Sequence, residues 1–179
     1  HTDNRRQRQM CIRDRADAND CDMTPFQRWY MQAGTPRLTA RRDAGGDGLT
    51  LTLSQSVPET AANTARDPLP VPVRIGFVGA DGAAVRTRID TPEDEAGDAQ
   101  ADHVLLVDEE SATFTFTAAD GGALPADVTP SLLRGFSAPV ELDDDLEAGE
   151  RLRLMAHDSD LFNRLSLIHI SEPTRRKHI

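Results

Sequence analysis

The sequence is poor in aromatic residues and in cysteine. Its 179 residues include one Trp, one Tyr, six Phe and two Cys. A core built from this composition must be largely aliphatic, and two cysteines are too few for a disulfide scaffold. No apolar run approaches the roughly 20 residues that a membrane-spanning helix needs. The sequence therefore predicts neither a disulfide-stapled fold nor a membrane partner.

Basic residues are also scarce, since 20 Lys and Arg stand against 30 Asp and Glu, for a formal net charge of −10. They are concentrated at the ends: residues 1–15 carry a net +3 and residues 165–179 a net +2, which leaves −15 on the 149 residues between them. The single lysine, Lys177, lies in the C-terminal segment. Because contacts with phosphates need clustered cations, this acidic central part excludes a general nucleic-acid partner.

The two basic ends differ in kind from the middle. Residues 10–14 read MCIRD and residues 165–175 read LSLIHISEPTR, and both resemble translations of a sequencing-library adapter. A basic N-terminus is also typical of a targeting peptide or a nucleic-acid-binding arm, but no apolar stretch follows it. We therefore predict adapter-like, non-native tails at 1–15 and 165–179. Cys21 then remains as the one native cysteine.

Helical patterns flank a middle with a period of two. Thr24 as N-cap and Pro25 at the first helical position predict a helix that presents an aromatic stripe of Phe26, Trp29 and Tyr30. Alternation of apolar and polar residues then predicts strands at 49–54, 71–77, 85–89, 103–107, 112–117, 131–136 and 139–142. Residues 80–82, ADG, predict a hairpin turn between the second and third of these strands. The segment 103–107 is expected to be buried on both faces. The predicted fold class is mainly β, an Ig-like β-sandwich of about seven to eight strands flanked by short helices.

A second helical pattern follows the predicted sandwich. Asp143, Asp144 and Asp145 precede it, and acidic residues at a helix start complement the helix dipole. We therefore interpret the three aspartates as a cap rather than a metal site. The pattern is broken at Asp158–Asp160 before Phe162 begins another helix.

Few residues have the chemistry of a functional site. His157, Asp158 and Asp160 could bind a divalent metal, but a helix-end turn with aspartate capping is the favoured interpretation. The acidic run 91–102 is interpreted as a solvated loop, because its spacing matches no EF-hand calcium site. His103 is interpreted as structural. Since the sequence has no HExxH, no GxSxG and no phosphate-binding glycine loop, we predict no catalytic, metal-binding or substrate-binding residue in this chain.

Several segments resemble, in order, the bacterial aminopeptidase N (alanyl aminopeptidase) family. Residues 26–36, FQRWYMQAGTP, resemble the family's FxRWYxQAGTP segment, and residues 51–55 match its LTLSQ strand. Residues 68–73 and 131–140 are similar to its PLHIPV-type and PSLLRGFSAPV segments. Residues 157–164, HDSDLFNR, resemble HDSDPFNRW, with Leu161 in place of the usual proline. The resemblance covers roughly residues 16–164.

The resemblance implies a parent enzyme that uses zinc to remove N-terminal residues from peptides. It implies that residues 16–36 end the catalytic domain, 37–142 form the sandwich, and 143–164 begin a C-terminal helical domain. The expected partners are those two neighbouring domains, with peptide substrates for the parent only. No cofactor is expected in this segment, and zinc is expected in the parent. The resemblance and the few cysteines favour the cytoplasm, with the periplasm as the alternative.

Two functions remain open from the sequence. The first is an internal, catalytically inert fragment of such an aminopeptidase. The alternative is a stand-alone Ig-like binding or adhesion module. Such a module is expected to carry a secretion signal and polar termini, and the helices that flank the sandwich instead carry apolar stripes. The sequence therefore favours the fragment.

Overall fold

The structure is a computed structural model that describes residues 22–45, 48–59, 67–90 and 98–171. The described part is mostly strand, with short helices at both ends. Its elements in chain order are α1 Thr24–Met31, β1 Arg37–Gly45, β2 Gly48–Ser56, β3 Val71–Val78, β4 Ala84–Val85, β5 Thr87–Asp90, β6 Asp102–Val107, β7 Ser111–Ala118, β8 Thr129–Ser131, a 3₁₀ turn Arg134–Phe136, β9 Glu141–Asp143, α2 Ala148–His157 and α3 Leu161–Ser171.

The strands form two sheets, which confirms the predicted mainly β sandwich. The larger sheet has the order β5-β7-β2-β1-β9, in which β9 runs parallel to β1. The smaller sheet has the order β4-β3-β6, and β8 also pairs with β3, opposite residues 76–78. The hairpin predicted after β3 is present, since Gly79 and Ala83 close it and Gly82 adopts a φ of 81°.

Alternation along the strands creates the core between the sheets. Leu51 and Leu53 of β2 are fully buried, as are Val73, Ile75 and Phe77 of β3. The ring of Phe77 meets that of Phe116 from the other sheet edge-on, at a centroid distance of 4.9 Å. Burial of each such side chain contributes about 1.5–3 kcal/mol, so the aliphatic composition is sufficient to hold the two sheets together.

Two predicted strands differ from the structure. β6 is buried on one face only, because Leu105 and Val107 point inward while Val104 and Leu106 are 69% and 55% exposed. The segment 131–136 is extended only at Ser131 and then turns, with φ of 55° at Leu133 and 54° at Phe136. Both expectations were wrong because a short apolar run carries no information about what covers its second face.

The N-terminal helix also starts differently from the prediction. Thr24 is its first residue rather than its N-cap, and the amide of Thr24 donates to the Asp22 carboxylate over 2.8 Å. Of the aromatic stripe, Trp29 packs against the core, whereas Phe26 and Tyr30 are 42% and 47% exposed. Of the three aromatic residues, only Trp29 therefore faces the sandwich, and the other two are largely exposed.

His103 joins the two sheets through a buried polar contact. Its Nε2 lies 2.9 Å from the hydroxyl oxygen of Thr87 and 3.0 Å from the Thr87 carbonyl oxygen. The ring also contacts Phe116, at a centroid distance of 5.8 Å. Burial lowers the pKa of His103 below its ordinary value, although the Thr87 carbonyl and the Asp102 charge act in the opposite direction. The interpretation of His103 as structural agrees with this placement.

We expect the stability of the chain to fall as the pH decreases below about 6.5, the ordinary pKa of histidine. Since His103 has the lower pKa when folded, the unfolded chain binds more protons in the window between the two values, and protonation favours unfolding. The loss is at most about 1.4 kcal/mol per pH unit. Urea unfolding at pH 7.5, 6.5 and 5.5 measures it, and His103→Gln should flatten the profile. An unchanged slope in that variant would assign the dependence to other groups.

Candidate functional site at the junction with the C-terminal helices

A buried arginine lies where the sandwich meets α2 and α3. Arg134 begins the 3₁₀ turn after β8, and its side chain is 3% exposed. Leu133 and Phe136 on either side adopt left-handed backbone conformations, each of which costs of order 1–3 kcal/mol and persists only when its surroundings hold it. The backbone conformation of this turn is therefore stabilised by its contacts with neighbouring elements rather than by the intrinsic preference of its residues.

The Arg134 guanidinium is shared between the sandwich and the helices. Its Nη1 donates to Oδ1 of Asp102 in β6, and its Nη2 donates to Oδ1 of Asp158 over 3.0 Å. Its Nε donates to the Ser131 hydroxyl over 3.1 Å. Asp158, the residue that follows α2, has a fully buried side chain. A buried charge is stable only when paired and hydrogen-bonded, so Arg134 and Asp158 depend on each other.

Gly76 of β3 provides the space for this guanidinium. A Cβ atom at position 76 would overlap Arg134 and would lie 2.7 Å from Oδ1 of Asp102. Asp102 also accepts a 2.7 Å bond from Arg74, whose side chain is half exposed. Burial acts to raise the pKa of Asp102, but the bonds and charges of Arg134 and Arg74 lower it below its usual value. Asp102 is therefore held as a carboxylate between two arginines.

Ser131 and Asn163 complete the cluster. The Ser131 hydroxyl donates to Oδ2 of Asp158 and accepts from Arg134 and, over 2.9 Å, from the side-chain amide of Asn163 in α3. The same amide donates to the Leu132 carbonyl over 2.8 Å. We refer to Asp102, Ser131, Arg134, Asp158 and Asn163 as the junction cluster. It ties strands β6 and β8 of the small sheet, the 3₁₀ turn and both C-terminal helices together.

Asp160 lies beside the junction cluster and links the same elements. Its Oδ1 accepts the amides of Phe162 and Asn163 over 2.8 and 3.2 Å, which caps the start of α3. Its Oδ2 accepts the amide of Gly135 in the 3₁₀ turn. The predicted helix-end turn with aspartate capping is therefore present, and it is anchored to the sandwich.

A second polar contact joins the other sheet to α2. The Arg42 side chain of β1 donates to Asp145 over 2.8 Å and to both carboxylate oxygens of Glu150 over 2.6 and 2.9 Å. Burial acts to raise the pKa of Glu150, but bonds from Arg42 and the Glu147 amide lower it. Glu147 caps α2 in a reciprocal capping box with Glu150.

The interpretation of the three aspartates as the cap of α2 was therefore wrong. Asp143, Asp144 and Asp145 instead pair with Arg41, Arg151 and Arg42 respectively. The three aspartates thus form ion pairs with three arginines, two of which lie on β1. The position of an arginine on a distant strand is not visible in the local pattern from which the cap was predicted.

The N-terminal helix is attached at the opposite end of β3, where residues 67–70 lead into the strand. The indole Nε1 of Trp29 donates to the Pro70 carbonyl over 3.0 Å, and Arg28 donates to the Pro68 carbonyl over 2.9 Å. Gln55, which is buried, holds this segment through both the amide and the carbonyl of Leu69, at 2.9 and 2.8 Å. Helix α1 thus docks on a segment that the sandwich itself fixes in place.

The other sequence-predicted site residues are dispersed. The ring of His157 packs against Gly82 in the β3–β4 turn, because a Cβ atom there would lie 2.6 Å from it, while Asp158 and Asp160 point to the junction cluster. Of the acidic run 91–102, residues 91–97 lie outside the described residues, and Asp102 belongs to β6 rather than to a loop.

Residues that could hold zinc are not brought together in the described ranges, where no group of three or more His, Cys, Asp or Glu side chains is placed to bind a metal ion. The sequence also has no HExxH. The residues within the described ranges therefore do not fit a zinc centre. In the same described ranges, no helix has the length and hydropathy needed to cross a membrane.

Sequence reasoning missed the roles of Gln55, Gly76, Asp102, Arg134 and Asn163. One signal was available for Arg134, since a cation inside the otherwise apolar run SLLRGF must find a buried partner. The identity of that partner was not visible, because 24 residues separate Arg134 from Asp158 and 32 separate it from Asp102.

Comparison with known proteins places these features in a family. Residues 34–145 match the model described as "Domain of unknown function (DUF3458) Ig-like fold". The chain is 34% identical over 149 residues to aminopeptidase N of Haemophilus influenzae and 38% identical over 151 residues to aminopeptidase N of Caulobacter vibrioides. These alignments cover 82% and 83% of this chain. The resemblance drawn from the sequence segments is thereby confirmed.

A solved structure shares the fold. Legionella pneumophila aminopeptidase A, determined in complex with aspartic acid, superposes on 87% of this chain with a TM-score of 0.66 and 25% sequence identity. The chain spans only 15% of that protein, and 16% and 15% of the Haemophilus and Caulobacter relatives. The relatives that the chain matches are named aminopeptidase N. Since the family model covers more than half of its residues, the chain belongs to the DUF3458 family of Ig-like domains.

Proposed function

We propose that this chain is an internal, non-catalytic spacer domain of a zinc-dependent aminopeptidase that removes N-terminal residues from peptides. The observation that carries the proposal is the attachment of helices at both ends of the sandwich, by a part-buried hydrogen bond from Trp29 at one end and a buried ion pair at the other. Trp29 and Gln55 fix α1 at one end, and Arg134 and Asp158 fix α2 and α3 at the other. A sandwich held in this way sets the position of whatever continues from each helix.

The exposed side chains of these helices support a spacer role. Phe26, Tyr30 and Met31 of α1 are 42–67% exposed, and Leu161 and Phe162 of α3 are 74% and 47% exposed. Helices this short are marginal alone, and large apolar side chains exposed next to one another mark interaction sites. The stand-alone module would have relatives of its own length, whereas the chain spans 15–16% of the relatives it matches.

In this proposal the chemistry belongs to the rest of the enzyme. The zinc ion and the peptide would be held by parts of the parent outside this chain, because the residues described here do not assemble a metal-binding group. The contribution of the sandwich is geometric: it holds the catalytic and helical domains at a fixed distance. The parent is proposed to work in the cytoplasm, which the low cysteine content supports.

A domain exchange tests the proposal. The aligned segment of the Caulobacter aminopeptidase N is replaced by residues 22–164 of this chain, and hydrolysis of an alanyl chromogenic substrate is measured. We expect activity that is lost on chelation and restored by zinc. A matched control carries a Gly/Ser linker of equal length and is expected to be inactive. The isolated 179-residue chain is expected to be inactive with or without zinc.

Two outcomes would contradict the proposal. The first is turnover by the purified isolated chain, which would place an active site within it. The second is an exchanged enzyme with the melting temperature and circular dichroism of the Caulobacter parent but without activity. That result would show that this sandwich cannot substitute for the domain it resembles.

A further inference from the structure

The outward face of the small sheet is apolar where it is not covered. Val104 and Leu106 of β6 point away from the core and are 69% and 55% exposed. Their register partners on β3 are Arg74 and Pro72, which lie on the same face. We refer to Pro72, Arg74, Val104 and Leu106 as the bare patch. Two exposed aliphatic side chains two residues apart on one strand form a continuous apolar surface.

The other half of the same face is covered by the C-terminal helices. Gly76 lies under the Arg134 guanidinium, and Val78 at the end of β3 is 1% exposed. Helix α2 packs against β3, and β8 extends the sheet beside it. The boundary falls at Arg74, whose amide donates to the Ser137 hydroxyl over 3.0 Å and whose guanidinium reaches Asp102. The bare patch therefore begins where the helical layer stops.

Strand β6 has the features of a strand that is covered by another structural element in the assembled protein. Among the described strands it pairs only with β3, so its other edge is unpaired. Residues 103–107, HVLLV, contain no Asp, Glu, Lys or Arg. Exposed edge strands usually carry charges, proline or bulges that prevent unwanted pairing, and β6 has none of these between 103 and 107.

The longer segments outside the described residues are polar in sequence. The segments outside the described residues read TAANTAR at 60–66, TPEDEAG at 91–97 and EPTRRKHI at 172–179, and residues 1–21 are similarly polar. None has an apolar stripe of helical or strand period. These sequences therefore do not have the pattern of an apolar cover for the bare patch.

We propose that the bare patch is the docking surface for a further helix of the C-terminal helical domain, which continues the layer that α2 and α3 begin. This inference rests on the proposed function. The bare patch adjoins the junction cluster, because Arg74 of the patch bonds to Asp102 of the cluster. We therefore infer that the occupant belongs to the helical domain rather than to a second copy of the chain. The partner helix carries an apolar stripe over Val104 and Leu106 and an acidic residue near the half-exposed Arg74. A basic residue is expected opposite the exposed Asp108 and Glu109 at the other end of β6.

The test uses the exchanged Caulobacter enzyme described above. Val104→Asp with Leu106→Asp places two carboxylates in the proposed interface, where they would be buried without partners. We expect the melting temperature of the exchanged enzyme to fall by roughly 5 °C or more. The matched control, Ser111→Asp with Thr113→Asp, puts the same charges at the same spacing on the exposed outer face of the large sheet. The control also removes two exposed cross-strand hydroxyl bonds, Thr52–Thr113 and Ser54–Ser111, so a small fall in melting temperature is expected. The proposed interface predicts a clearly larger fall for Val104→Asp with Leu106→Asp.

A second measurement needs no substitution. Amide hydrogen exchange of residues 103–107 is compared between the exchanged enzyme and the isolated 179-residue chain. If the patch is covered, these amides should exchange at least about tenfold more slowly in the enzyme. A milder pair, Val104→Thr with Leu106→Thr, should give a smaller loss of melting temperature and reports on the interface if the aspartate variant does not fold.

The outcomes separate the two proposals. An active exchanged enzyme in which the aspartate pair has no effect and β6 exchanges as in the isolated chain would overturn the docking surface and leave the proposed function standing. An inactive but folded exchanged enzyme would overturn the proposed function. If the enzyme is dimeric and the aspartate pair makes it monomeric, the occupant is a second copy and the inference is wrong.

Discussion

Replacing Arg134 with methionine is expected to lower the free energy of unfolding by about 3–5 kcal/mol, the usual cost of removing one partner from a buried ion pair. The Asp158 side chain is fully buried, so its carboxylate would remain inside without a cation. Methionine fills much of the space of the arginine stem, which limits the contribution of a cavity. The loss therefore reports mainly on the uncompensated charge.

Urea denaturation of the full chain measures this loss, and two variants control it. Arg74→Met removes the other cation from Asp102, but that side chain is half exposed, so a cost of at most about 1 kcal/mol is expected. Asp158→Asn in the Arg134→Met background removes the stranded charge and should recover part of the stability. Equal costs for Arg134→Met and Arg74→Met would refute the view that the junction depends on the buried pair.

Gly76→Ala is expected to cost about 2–3 kcal/mol, because it forces a side chain into a fully occupied space. The new Cβ would overlap the Arg134 guanidinium and would lie 2.7 Å from the Asp102 carboxylate. The guanidinium is the far end of a long side chain, but three hydrogen-bond partners hold it in place. The substitution can be accommodated only if Arg134 leaves the junction cluster.

Gly149→Ala is the matched control, since a Cβ atom there would meet nothing within 4 Å. Gly149 lies in α2, where alanine is the better helix former by roughly 1 kcal/mol, so this variant should be as stable as the parent or more so. In the Arg134→Met background, Gly76→Ala should cost much less than it does alone, because the two changes act on one contact. Strict additivity of the two costs would show that Gly76 serves some purpose other than housing the guanidinium.

Most of the sheet-forming segments were predictable because their burial pattern is local, although β1 at 37–45 was not among the predicted strands. In β2 and β3, apolar residues alternate with polar ones, and the structure buries Leu51, Leu53, Val73 and Ile75 as the alternation requires. The hairpin at Ala80–Gly82 was equally local, since a glycine with positive φ allows the tight turn. Each of these features depends on residues only a few positions apart.

The junction was not predictable for the opposite reason. The quoted segments SLLRGFSAPV and HDSD contain Arg134 and Asp158, but neither segment indicates that the two side chains share a hydrogen bond. The exposure of Val104 and Leu106 was missed as well, because a run such as HVLLV is compatible with burial on both faces. Only the packing of the helices on one half of the sheet decides which positions are covered.

The scarcity of aromatic residues was enough, without any structure, to predict a largely aliphatic core. The alternation along the strands likewise determined a β-sandwich. Only the tertiary structure decided that Gly76, Asp102, Arg134 and Asp158 form one buried cluster that fixes the C-terminal helices. The physical reason is that the alternation of inward and outward side chains depends only on neighbouring residues along a strand. The partner of a buried charge depends instead on which distant segments of the chain come into contact.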